Sequence, residues 1–229
     1  MKMNSKLRRI LLTVCSAALL VCVTVGATVA YLTSTDKVEN TFTVGKVAIT
    51  LDEAAIKQDE TTKNWVEDET ADPKRVTENQ YKLLPGITYA KDPTVTVKAG
   101  SEKAYVRVLV TVSEKNDLDT LFAKYASKSL KLTDVVLGIS ADWTPYGQTK
   151  DDTADTRTYE LRYKSTVDAS ASTDDIVLDD VFEQIKVPDY FTNADIAAIS
   201  GLKIEVVAQA IQADGFTTAD AAWKAFDGE

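Results

Sequence analysis

Residues 104–112 alternate strictly between two kinds of side chain. The even-numbered positions of this segment are Val106, Val108, Val110 and Val112. Because successive side chains of a strand point to opposite faces, the pattern predicts a strand whose valine face lies in the core. Arg107 lies on the other face, where we expect it to pair with an acidic residue across the sheet. Such alternation is typical of antiparallel sheets, since strands of parallel sheets are usually apolar on both faces.

Similar patterns recur at other places along the chain. Apolar residues occupy every second position in the segments 47–51, 94–97, 159–163 and 202–210. Helical spacing of apolar residues appears in three shorter segments, 118–125, 196–199 and 219–226. We therefore predict a mainly β fold, an antiparallel β-sandwich with short helical insertions between the strands.

The start of each predicted helix has a candidate N-cap. Side chains of Ser, Thr, Asn and Asp cap helices because they accept hydrogen bonds from the first free N–H groups. The candidates are Asn116 or Asp117, Asn193, and Thr217 or Thr218.

Residues 52–80 form the longest segment without a clear period. The segment is polar and acidic, and Trp65 is its main apolar residue. We predict a long solvated connection here, because acidic runs are usually solvated surface. A turn should follow at Pro85 and Gly86.

The N-terminal segment indicates export. A basic start with Lys2, Lys6, Arg8 and Arg9 is followed by an uncharged run from Ile10 to Leu32. This order is typical of a secretory signal peptide, and Thr28 to Ala30 provide a small-x-small cleavage site. The prediction is a signal peptide over 1–30 and a single mature domain over 31–229. The alternative is an uncleaved membrane anchor that extends to about residue 32.

Composition excludes several classes of function. The chain has no histidine, and both cysteines, Cys15 and Cys22, lie in the predicted signal peptide. The mature domain therefore lacks a Ser-His-Asp triad, a disulfide and the usual zinc ligands. We predict that the protein is not an enzyme and carries no cofactor. Acidic loops at 151–155 and 174–180 could bind Ca²⁺ weakly, but neither has the ligand order of an EF-hand.

Charge excludes nucleic acid as a partner. The chain has a net charge of −9, and its first 30 residues carry four basic residues and no acidic one, so the mature domain carries −13. A surface of this sign repels phosphate groups and anionic membranes.

The junction between signal peptide and mature chain resembles a known family. It reads ATVAYLTSTD at 27–36, NTFTVG at 40–45 and ITL at 49–51. These segments are similar to the start of TasA/camelysin-type proteins, which Gram-positive bacteria export and process with a signal peptidase of the SipW type. The segments LPG at 84–86 and AYVRV at 104–108 also resemble the family, whereas about 115–185 matches no motif of it.

The resemblance implies a fold and a role. It implies a jelly-roll-like β-sandwich and a secreted subunit of biofilm-matrix fibres, in which an N-terminal segment completes the sheet of the next subunit. That donor segment corresponds here to residues 30–44. The apolar side chains that would enter the neighbouring sheet are Tyr31, Leu32, Val38, Phe42 and Val44. From the residues alone, the same segment could instead pair within its own sheet as the first strand.

Two functions follow from these observations. The first is a structural protein whose partner is itself or a homologous subunit, located outside the cell. The alternative is a monomeric cell-surface module that binds wall carbohydrate or protein. In that case Trp65, Trp143 and Tyr146 could offer aromatic faces to a ligand.

Overall fold

The computed structural model describes residues 33–36, 47–126, 131–152 and 155–228, and it gives only the backbone for 33–36 and 147–152. In these residues the protein is mainly β. The strands are β1 Thr33–Asp36, β2 Ile49–Ala54, β3 Ile56–Gln58, β4 Trp65–Glu67, β5 Arg75–Val76, β6 Thr88–Ala90, β7 Thr94–Val97, β8 Ala104–Ser113, β9 Val136–Leu137, β10 Trp143–Asp152, β11 Thr156–Tyr163, β12 Ile176–Val177, β13 Gln184–Lys186 and β14 Ile204–Gln212. The helices are α1 Lys115–Ala126, α2 Asn193–Ala198 and α3 Ala219–Asp227, with a 3₁₀ turn at Leu132–Asp134.

The strands form three sheets. The first has the order β1-β14-β8-β11-β10, the second β12-β7-β2-β5, and the third β3-β4-β6-β13-β9. The described pairs are antiparallel except for β4 and β6, which pair in parallel. The prediction of a mainly β fold with antiparallel sheets is confirmed. The predicted signal peptide at 1–30 lies outside the described residues.

The core forms where the first and second sheets bring their apolar faces together. The predicted valine face of β8 is at most 1% exposed at each of its four positions. Leu161 of β11 and Ala208 and Ala210 of β14 flank it in the first sheet, and Ile49 and Val95 belong to the same core from the second sheet. Full burial of one valine-sized side chain contributes about 2 kcal/mol, so the four valines together contribute about 8 kcal/mol.

The opposite face of the first sheet is covered at one end by α3. The predicted cap is confirmed, because the Thr218 hydroxyl accepts a hydrogen bond from the N–H of Ala221 over 3.2 Å. Gly228 ends the helix in the left-handed conformation, at φ 79°. Trp223, which is 1% exposed, packs with Ile211 of β14 in a second apolar cluster.

Arg107 joins this helix to the sheet. Its side chain is 4% exposed and makes hydrogen bonds to both carboxylate oxygens of Asp227, at the end of α3. The guanidinium lies 4.3 Å from the ring centre of Trp223 and 3.7 Å from the carboxylate of Glu160 on the neighbouring strand. The predicted cross-sheet acid is therefore present, and a second acid comes from a helix that begins over a hundred residues later.

The N-caps predicted for the first two helices are wrong. Helix α1 begins at Lys115, which places Asn116 and Asp117 inside its first turn. The backbone N–H of Asn116 instead donates a hydrogen bond of 2.9 Å to the carboxylate of Asp155, which precedes β11. The sequence does not indicate this cap, because the two residues meet only through the fold.

Helix α2 begins at the predicted cap residue itself. Asn193 is its first residue, and Thr192 is the N-cap. The Thr192 hydroxyl accepts from the N–H of Asp195, and the N–H of Thr192 donates to the Asp195 carboxylate, so the two residues form a capping box. Tyr125 of α1 also donates to Asp195 over 2.7 Å, which holds the two helices together.

Replacement of Asp195 by Asn should lower the urea midpoint of unfolding at neutral pH. The N–H and hydroxyl of Thr192, followed by the Tyr125 hydroxyl, hold the pKa of the Asp195 carboxyl well below its ordinary value of 3.8. A depressed pKa in the folded state stabilises the protein above pH 3.8, and this stabilisation is lost as pH falls through the folded-state value. The difference between wild type and Asp195→Asn should therefore shrink below about pH 4. Asp214→Asn, at an exposed position, is the control, and a difference independent of pH would contradict the explanation.

The prediction of one long loop over 52–80 is wrong in part. Strand β2 continues to Ala54, and three short strands, β3, β4 and β5, lie within the segment. Trp65 does anchor it, since its ring packs against the core. Strands of two or three residues are too short to display a period. Among the described residues, none of the helices has the length and apolar character needed to cross a bilayer.

Candidate functional site

The first sheet ends on one side at the short strand β1, and β14 is the next strand. β1 pairs antiparallel with β14 from Thr33 opposite Ile211 to Asp36 opposite Ala208. On its other side β14 pairs with β8 along all nine of its residues. The outer side of β14 thus accepts an extended segment of four residues, opposite 208–211.

The pairing of β1 bears on the predicted donor segment. Residues 33–36 belong to the predicted donor 30–44, and their backbone lies on the sheet of their own chain. This is the pairing within one sheet that the sequence leaves open. The predicted donor side chains and cleavage-site residues lie outside the described residues; they are Tyr31, Leu32, Val38, Phe42, Val44, Thr28 and Ala30.

A large cavity borders the N-terminal half of β14. It has a volume of about 1640 Å³ and extends between the sheets. Its apolar lining near the edge comes from Leu202, Ile204 and Val206, with Leu51 of β2 on the opposite side. An extended segment laid along β14 could place alternate side chains in such a space.

The other end of the cavity is polar. Glu53 of β2 and Lys91, just after β6, are 6% and 8% exposed and form an ion pair between Nζ and Oε2. The Asn79 amide donates 2.9 Å to the other oxygen of Glu53. Burial raises the pKa of the neighbouring Tyr81 phenol, and the negative charges of Glu53 and Asp92 raise it further.

The sequence carries a signal for this polar cluster that the pattern analysis missed. Glu53 has the same parity as Ile49 and Leu51, so it lies on the core face of β2. A carboxylate on a core face requires a positive or hydrogen-bonding partner, because burial of an unpaired charge is costly. The identity of that partner depends on the fold and could not be read from spacing.

The aromatic residues of the binding-module alternative are mostly used in packing. Trp143 is 2% exposed, and its indole N–H donates 2.9 Å to the carbonyl of Asp179. Tyr146 is 40% exposed, but the Arg162 guanidinium lies 3.2 Å from its ring centre. Trp65 is partly buried against the core. The expectation of three aromatic faces open to a ligand is wrong for Trp143 because its strand turns the ring inward.

The described acidic residues of the loop 174–180 have hydrogen-bonding and charged neighbours of their own. In the described part of the chain, no three carboxylates or other metal-binding side chains come together. Asp175 instead accepts from the Lys98 amine over 3.0 Å and from the N–H of Ala99. Asp179 lies beside Asp142, and this contact raises the pKa of Asp179.

Comparisons with known proteins do not assign the chain to a family. No family model, no curated protein and no solved structure matches this chain.

Proposed function

We propose that this chain is an exported structural protein that polymerises into extracellular fibres by strand addition at the β14 edge. The fold we propose for the subunit is a jelly-roll-like β-sandwich. The observation that carries the proposal is the antiparallel pairing of β1 with β14, in which residues 33–36 of the predicted donor segment add to the first sheet. The N-terminal sequence and its resemblance to TasA/camelysin-type proteins support export and cleavage by a SipW-type peptidase. Such a role requires no catalytic centre and no cofactor.

The same strand pairing can form within one chain or between two. An element that occupies a groove in its own subunit can occupy the identical groove of a neighbour, with the same contacts in both states. If each subunit donates to the next and the rotation does not close a ring, the product is a filament. The pairing of β1 within the isolated chain is thus compatible with donation in a fibre.

The connection between β1 and the rest of the chain is long enough for this exchange. Ten residues, 37–46, separate β1 from the first described residue of the core, Val47. A fully extended segment of this length spans at most about 35 Å. A domain of this size has a radius of gyration of about 16 Å, so the tether can reach a neighbouring subunit in contact with its own.

Electron microscopy and size-exclusion chromatography of the mature protein, 30–229, test the proposal. We expect regular fibres and a loss of the monomer peak. A monomer that persists under every condition, together with specific signals on a glycan array, would contradict the fibre role and support the alternative of a surface binding module.

Fibre growth should be faster in mild acid. Each mature subunit carries a net charge of −13, which opposes association. Protonation of carboxylates lowers this charge, and Asp179, whose pKa is raised by Asp142, takes up its proton at a higher pH than an ordinary Asp. Light scattering at about pH 7 and about pH 4.5 measures the effect. Equal growth rates at the two pH values would exclude charge repulsion as the control of assembly.

A further inference from the structure

Three side chains at the polar end of the cavity are arranged so that they could react with one another. Glu53 presents one carboxylate oxygen to the Lys91 amine and the other to the Asn79 amide nitrogen. The Asn79 nitrogen also donates 2.8 Å to the carbonyl of Ala54, which fixes its orientation. A single carboxylate therefore connects an amine, which is a nucleophile when neutral, to a carboxamide, which is an electrophile.

Aromatic rings border this triad, and Glu53 and Lys91 are buried. The Tyr81 ring centre lies 6.0 Å from the Lys91 amine. Tyr81 packs edge to face with Tyr89, with ring centres 5.4 Å apart, and with Trp65, with ring centres 6.2 Å apart. In such a site a proton transfer from amine to carboxylate removes two buried charges at once, which lowers the desolvation cost of the pair.

We propose that Lys91 and Asn79 become joined by an intramolecular isopeptide bond, with Glu53 as the proton carrier. Glu53 takes a proton from the Lys91 ammonium, and the neutral Nζ attacks Cγ of Asn79. The Nζ–Cγ bond forms, Glu53 returns the proton to Nδ2, and the Cγ–Nδ2 bond breaks. A second proton from the attacking Nζ passes through Glu53 to the departing ammonia. The lysine ammonium and the asparagine amide are thereby converted into a secondary amide and one ammonium ion. No oxidant, reductant or cofactor is required.

The position of the triad suits both steps of this reaction. The attacking Nζ of Lys91 and the leaving Nδ2 of Asn79 already bind the two oxygens of the Glu53 carboxylate. One carboxylate can therefore exchange protons with both nitrogens. Glu53, Asn79 and Lys91 all line the cavity, which gives ammonia a way out. The product closes the segment 79–91 covalently and removes the positive charge of Lys91.

Peptide mass spectrometry of the folded, full-length protein tests the proposal. Trypsin should yield one branched species in which peptide 76–82 is joined through Asn79 to peptide 83–98, uncleaved at Lys91 and lighter than the sum of its parts by one ammonia, about 17 Da. Recovery of peptides 76–82, 83–91 and 92–98 at their unmodified masses from folded wild-type protein would overturn the proposal. Since this measurement uses the wild type, it does not depend on the folding of a variant.

Variants separate the isopeptide bond from other losses of ammonia. Lys91→Arg, Asn79→Ala and Glu53→Gln should each lack the branched species, whereas Gln80→Ala, at the exposed neighbouring position, should retain it. A cyclic imide at Asn79 would give the same mass change without Lys91. Its signature would be an unbranched peptide 76–82 that is lighter by about 17 Da and persists in Lys91→Arg, and this result would also overturn the proposal.

Discussion

We expect the mature chain without residues 30–40 to remain folded but to form no fibres. The deletion removes β1, which forms four residue pairs with β14. Backbone hydrogen bonds contribute about 1 kcal/mol each on balance, while ordering a residue costs about 1–2 kcal/mol. The net contribution of a four-residue edge strand to the stability of the monomer is therefore small. Circular dichroism and electron microscopy of the deleted chain, compared with the chain from 30 to 229, measure both expectations.

The deleted chain should also stop the growth of wild-type fibres. It retains the acceptor edge at β14 but has no donor, so it can bind the end of a fibre without extending it. A small molar fraction should shorten fibres grown from the full mature chain, and a synthetic peptide of residues 30–44 should bind the deleted chain in solution. A scrambled peptide of the same composition is the control. Fibres of normal length from the deleted chain alone would refute strand donation.

Replacement of Arg107 by Leu should destabilise the protein by about 3 kcal/mol, the usual loss when one partner of a buried ion pair is removed. Arg107 contacts Asp227 with two hydrogen bonds, donates to Gln209 over 2.7 Å and covers the ring of Trp223. For a domain of this size the loss corresponds to a melting temperature lower by about 6–12 °C. Differential scanning calorimetry measures it.

The control for this variant is an exposed ion pair. Lys74 and Glu69 lie 3.5 Å apart with side chains 66% and 77% exposed. Lys74→Ala should change stability by less than about 0.5 kcal/mol, since exposed pairs contribute little. A double-mutant cycle of Arg107→Leu with Asp227→Asn then measures the coupling between sheet and helix. Independent, additive effects of the two substitutions would contradict the proposed contact between them.

The sequence predicts well those parts of the fold in which the alternation repeats several times. β8 and β14 each have nine or ten residues, so alternation identifies both the strand and its buried face. Thr218 was recognisable as a cap because the side chain and the N–H that it accepts from are three residues apart. The cap of α1 was not, since Asp155 and Asn116 are 39 residues apart in sequence.

The candidate sites depend on contacts that no local pattern encodes. Glu53 could be assigned to the core face by its parity, but Lys91 is 38 residues away and Asn79 is 26 residues away. The candidate donor contact likewise depends on a pairing between residues near 35 and residues near 210. The sequence predicts which residues need a partner, and the fold determines which partner they have.

The position of α3 limits the kind of filament that the proposed assembly would give. The helix covers one end of the outer face of the first sheet, where Arg107 and Arg162 bind Asp227 and Asp220 near its two ends. Sheets of neighbouring subunits cannot then approach face to face at the spacing of about 10 Å that amyloid requires. A filament extended through β14 should appear as a row of globular beads, and its fibre diffraction should lack the paired reflections of a cross-β spine.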